Sequence, residues 1–124
     1  AGVGFCVNLN KKNPFLGQAA LEEKKKSGLS KRKVNFALSN NDLLIYHNEP
    51  IYFDGKIVGE ISSGMYGFYL DKSLGMGYIS NNDSYSIEEM MSHQKFEIEV
   101  AETKYFAEGS INCFYDPGRE KILV

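Results

Sequence analysis

DGKIVGEISSGMYGFYLDKSLGMGYIS, residues 54–80, carries six glycines, yet its apolar residues still alternate with polar ones. Alternation is the period of a strand with one buried face, while glycine weakens a strand interior unless a bulge, a bend or a close backbone approach calls for it. Asp54-Gly55 is the strongest local signal, because a two-residue type I′ turn needs positive φ at both central positions. It predicts that PIYF (50–53) and KIVGEIS (56–62) pair antiparallel. Gly59, Gly64, Gly67, Gly75 and Gly77 then fall inside a strand-turn-strand unit, where they read as the corners of a tightly coiled barrel. A phosphate cradle is the rival reading, but the stretch has neither GxxxxGK[ST] nor GxGxxG at a strand-helix junction.

Outward from this stretch, KVNFALS (33–39), DLLIYH (42–47), GMGYIS (75–80), KFEIEVA (95–101), TKYFAE (103–108) and INCFY (111–115) are short runs rich in β-branched and aromatic residues. Strands at such spacing build a sandwich or a small barrel, and closure would remove exposed edges. Upstream, AGVGFCVNLN alternates at Val3, Phe5, Val7 and Leu9 and reads as another half-buried strand; a domain that opens this way looks like a piece of a longer chain. KKNPFLGQAALEEKKKSG predicts one helix, with Asn13 as cap, Pro14 at the first helical position, Glu22 and Lys26 four apart, and Gly28 at the end. The expected fold is mainly β: a small antiparallel Greek-key-like β-barrel with one N-terminal α-helix.

The chain has 124 residues, 43% hydrophobic and 24% charged, which suits one core. A net charge of -2 supplies no general field for nucleic acid or an anionic membrane, and no apolar run approaches the roughly 20 residues that span a bilayer. Cys6 and Cys113 stand apart without a CxxC and lie in apolar surroundings, where a thiol packs as a small hydrophobe. Lys31, Arg32 and Lys33 could hold phosphates, but read better as a solvated linker. Glu88 and Glu89 are adjacent and so point apart, reading as a solvated turn; His93 follows in the same loop, and His47 sits in a turn-like cluster. On residues alone there is no active site.

NEPIYFDGKIVGEISSGMYGFYLDKSLGMGYI (48–79) resembles the C-terminal barrel of the glycine cleavage T-protein (aminomethyltransferase) family. Gly55, Val58, Gly59, Ser62, Ser63, Gly64, Tyr66, Gly67, Leu70, Lys72, Ser73 and Tyr78 fit the family's pattern, and NPFLGQAAL and INCFYDPGREKI resemble its opening and closing segments. Gly75 stands where alanine is common, and Asn13-Pro14 replaces an aspartate. The Gly-Met-Tyr-Gly phrase is closer to the T-protein half of sarcosine and dimethylglycine dehydrogenases than to the free T-protein. The resemblance implies a parent that attaches a one-carbon unit from an amine to tetrahydrofolate, with its catalytic aspartate in upstream segments.

This chain would then be noncatalytic, with residues 1–32 ending a folate-binding region and residues 33–124 forming the barrel. Its partners would be the parent's remaining domains, with no nucleic acid and no membrane. A dehydrogenase-like parent would carry FAD in a preceding domain, and the location would be cytoplasmic or the mitochondrial matrix. Arg119 is the implied contact to the folate tail, since arginine grips carboxylates bidentately, and Tyr66 is the aromatic candidate. A solvated tail arginine and a packed turn tyrosine are the plainer alternatives. A freestanding barrel that binds a protein or an oligomeric ligand is the other class of function.

Overall fold

Asp54 (φ 49°) and Gly55 (φ 78°) both take positive φ, and the turn they make joins β2 (Pro50–Phe53) to β3 (Lys56–Gly67) in an antiparallel pair. The computed structural model describes residues 2–40 and 42–123. β1 (Lys31–Leu38), β4 (Lys72–Ser80), β5 (Phe96–Val100) and β6 (Thr103–Ser110) complete a closed barrel in the order β1-β4-β3-β2-β5-β6. β2, β3 and β4 follow one another as hairpins while β1 returns to lie beside β4, which is a Greek key. The seam that closes the barrel pairs β1 with β6, from Asn35 opposite Ser110 to Leu38 opposite Ala107.

β3 pairs with β2 over residues 56–60 and with β4 over residues 59–67. One irregularity falls in its pairing with β2, between Ile51 and Tyr52, and another in its pairing with β4, between Ile61 and Ser63. The extra residue at such a bulge raises local twist, which a six-stranded barrel needs to close. Glycine gives the remaining clearance. A Cβ on Gly59 would run into the Tyr78 carbonyl, and one on Gly64 into the Ile45 carbonyl. Neither has positive φ, so their requirement is close backbone approach.

Val34, Phe36, Leu38, Ile51, Phe53, Ile61, Ile79, Phe96, Ile98 and Ala107 fill the barrel and are fully buried. Phe96 sits edge-to-face against Phe36 and Phe53, with ring centroids 5.4 and 5.0 Å away. α2 (Ile87–His93) adds Ile87 and Met90 to this core. Its Ser86 and Glu89 form a reciprocal capping box, so Ile87–His93 is a short helix and not the turn expected from Glu88-Glu89. Those hydrogen bonds from Ser86 hold the Glu89 carboxyl below its ordinary range.

Four other expectations are corrected. Residues 2–10 form a 3-10 turn (Gly4–Cys6) and coil, with no strand among them. α1 (Gln18–Ser27) starts after Gly17 at φ 87°, so Asn13 and Pro14 do not begin it, and it buries no residue. Lys31-Arg32-Lys33 belongs to β1 and is not a linker. Cys6 and Cys113 are exposed free thiols and do not pack in the core.

DLLIYH and INCFY are not strands either. The first supplies a plug: Ile45 is fully buried, and its N–H donates to the buried Ser73 hydroxyl at 2.9 Å. Replacing Ser73 with alanine would leave that N–H unpaired in the core. Urea denaturation is expected to show a loss of about 1–3 kcal/mol for Ser73→Ala, the usual cost of an orphaned buried donor.

Candidate functional site

Residues that alternate out of the barrel build the site. Asn35 on β1, Leu74 and Met76 on β4, and Ser63 and Met65 on β3 share one outer face, with Met76 opposite Ser63 and Leu74 opposite Met65. The C-terminal segment 111–123 crosses this face as a strap. Asn35 Nδ2 donates to the Asn112 carbonyl at 2.9 Å and fixes the strap's start. Asp-Pro-Gly at 116–118 turns it: Asp116 Oδ1 accepts from the Glu120 N–H at 2.8 Å and Oδ2 from the Lys121 N–H at 3.1 Å. Past the turn, Lys121 Nζ donates to the Tyr69 hydroxyl at 2.8 Å. The same ammonium lies 4.7 and 5.0 Å from the ring centroids of Tyr69 and Tyr115, which meet edge-to-face at 4.6 Å.

The strap walls two clefts. An apolar one of about 280 Å³ lies between Met65, Leu74, Met76 and the strap residues Cys113, Phe114 and Tyr115. A larger one of about 980 Å³ lies between the N-terminal coil, the start of β1 and the strap; Phe5, Lys31, Arg32, Lys33, Asp116 and Arg119 line it. Arg32 is paired with Glu88 at 3.9 Å, and Lys31 lies over the Tyr78 ring at 5.3 Å. Arg119 makes no ion pair among the described residues. A cleft with several cations and apolar walls suits an anion joined to an apolar body, since charge-assisted hydrogen bonds hold the anion while burial holds the rest.

Arg119 thus lines a cleft, as a ligand contact would, but Tyr66 lines neither of the two. The Tyr66 hydroxyl donates to Asp71 at 2.6 Å and its ring packs on Phe68, with 5.3 Å between centroids. The hydrogen bond to Asp71 holds the phenol above its ordinary range. The two candidates are therefore not brought to one site: Tyr66 lies near the end of β3, with its ring against the exposed Phe68. His47 and His93 are exposed, and His93 stacks edge-on against Tyr85 at 5.7 Å. Among the described residues no three His, Cys, Asp or Glu side chains converge as metal ligands.

Sequence reading missed Asn35, Tyr69, Tyr115 and Lys121. Asp116-Pro117-Gly118 marks the strap's turn in the sequence, but Lys121 meets Tyr69 across 52 positions, which no local pattern shows.

The model of the glycine cleavage T-protein C-terminal barrel domain matches residues 31–116, from the start of β1 to the strap's turn. Human mitochondrial dimethylglycine dehydrogenase is 39% identical over 79 residues, 64% of this chain and 9% of that protein. The aminomethyltransferase of Synechocystis sp. is 31% identical over 115 residues, 93% of this chain and 29% of that protein. The crystal structure of aminomethyltransferase T of the glycine cleavage system from Bartonella henselae superposes with a TM-score of 0.59 at 21% identity, covering 81% of this chain and 26% of that one. That likeness concerns the fold. The chain spans less than a third of the length of each of these relatives.

Proposed function

This chain belongs to the glycine cleavage T-protein C-terminal barrel domain family, and from that premise we propose that it closes one side of a folate site in a longer, aminomethyltransferase-like protein. That protein would transfer a one-carbon unit from an amine such as glycine, sarcosine or dimethylglycine to tetrahydrofolate. The observation that carries the reading is the larger cleft, in which Arg119 and the β1 cations face apolar walls. Arg119 would grip a carboxylate of the folate tail, and the apolar walls would take the uncharged part of the molecule. Tyr66 would act only through the β3–β4 turn that it braces against Asp71.

In this reading the barrel holds ligand and does no chemistry itself. The catalytic groups lie in other domains, which are its partners, and FAD, which a dehydrogenase-like parent would carry, falls to a preceding domain. The mitochondrial names of the dimethylglycine and sarcosine dehydrogenases among its relatives support a mitochondrial matrix location for a eukaryotic parent.

Calorimetric titration of tetrahydrofolate into this chain and into the longer protein tests the reading. The longer protein is expected to bind at least about tenfold more tightly, a difference of about 1.4 kcal/mol. Arg119→Ala in the longer protein is expected to weaken binding by about 1.5–3 kcal/mol, the range for a hydrogen bond to a charged group. Equal affinities, or turnover by the 124 residues alone, would show that the determinants had been put in the wrong part of the protein.

A further inference from the structure

We propose that Lys121 is a positioning residue: by fastening the strap to Tyr69 of the β3–β4 turn, it fixes where Arg119 stands in the larger cleft. The inference rests on the reading of Arg119 as a carboxylate contact and adds to it the element that places the arginine. Arg119 has positive φ (58°) in a turn whose other special residue, Asp116, also has positive φ (45°). Nothing in barrel pairing holds this turn, because the last strand ends at Ser110. Its position is set from two sides. Asn35 holds the chain upstream at Asn112, and Lys121 holds it downstream, two residues past Arg119.

Between these points Asp116 makes the turn one body: its carbonyl accepts from the Arg119 N–H at 2.9 Å while its carboxylate accepts from the N–H groups of Glu120 and Lys121. A shift at Lys121 is therefore passed to Arg119. The fastening chemistry needs both a donor and a cation, because one ammonium serves the Tyr69 hydroxyl and lies near two aromatic rings. The hydrogen bond to Tyr69 also raises the Lys121 pKa.

Two measurements on this chain and its variants separate fastening from positioning. In the first, without ligand, amide hydrogen exchange of residues 113–121 is compared between the unmodified chain, Lys121→Met and Lys121→Arg. Methionine keeps the stem and is expected to raise strap exchange at least about fivefold while leaving barrel amides unchanged; arginine, which retains donor and charge, is expected to restore most of the protection. Unchanged exchange in Lys121→Met would overturn the proposal.

In the second, a triglutamate peptide, a probe that carries the carboxylates without a pterin, is titrated while the backbone amide NMR signals of residues 31–33 and of the strap are followed, which every variant retains. Lys121→Met is expected to weaken binding several-fold, Lys121→Arg to recover it, and Arg119→Ala to abolish the response. Loss in Arg119→Ala with none in Lys121→Met would overturn positioning and keep the carboxylate reading. A peptide response that survives Arg119→Ala would overturn the carboxylate reading and the proposal with it, even where the exchange result showed that the strap is fastened.

Discussion

Replacing Gly64 with valine is expected to cost at least about 3 kcal/mol and to leave much of the protein unfolded at 37 °C, because total stability is only about 5–15 kcal/mol. A Cβ at this position meets the carbonyl of Ile45, and backbone cannot rotate away as a side chain can. Ile45 has no free direction in which to retreat. Its N–H is held by Ser73, and its side chain lies over Gly75, where an added Cβ would be 3.2 Å from Cγ2. Valine adds two more methyl groups to the collision. Gly4→Ala is the matched control, since a Cβ there meets nothing within 4 Å and its φ is not positive; it is expected to stay within about 0.5 kcal/mol. Urea denaturation followed by far-ultraviolet circular dichroism measures both. A folded Gly64→Val chain that has lost less than about 1 kcal/mol would mean that the Ile45 plug does not press on β3.

Phe96→Ala is expected to cost about 3–5 kcal/mol, the range for emptying a buried phenylalanine site. Phe96 is fully buried and makes edge-to-face contact with both Phe36 and Phe53, so truncation removes two aromatic contacts along with the transfer energy of the ring. The site cannot collapse easily, because the ring also packs beside Gly109, which has no side chain to move inward. Phe106 on the adjacent strand is 54% exposed, and Phe106→Ala is expected to change stability by less than about 1 kcal/mol. Similar losses at the two positions would contradict the inward and outward assignment of β5 and β6.

The elements that sequence reading recovered were those whose cause is local. Asp54-Gly55 specifies its turn by the φ values it tolerates, and the barrel follows from short strands that must not leave edges. Val3, Phe5, Val7 and Leu9 show the same alternation as the true strands and still form none. A strand needs a ladder partner, and the six strands of the barrel already satisfy one another. DLLIYH fails for a related reason: its Ile45 is buried in the core, where Ser73 offers one hydrogen bond in place of a ladder. The Ser86-x-x-Glu89 box was present in the sequence as a helix start, but the adjacent Glu88 and Glu89 drew the reading toward a turn. Arg119 could be named as a candidate contact only through family resemblance. The other cations of the cleft come from β1, 86 or more positions earlier in the chain, and no periodicity links them to it.

The seam between β1 and β6 sets the order in which the domain can be finished. Asn35 pairs with Ser110, so the first strand waits for the last before either has its second neighbour. A ribosome making this stretch would have to release nearly the whole of it before the ring could shut, and until then the margins of β1 and β5 would stay open to other nascent chains. Loss of β6 through an early stop would leave both margins exposed permanently, turning a self-contained ring into a sticky, open sheet.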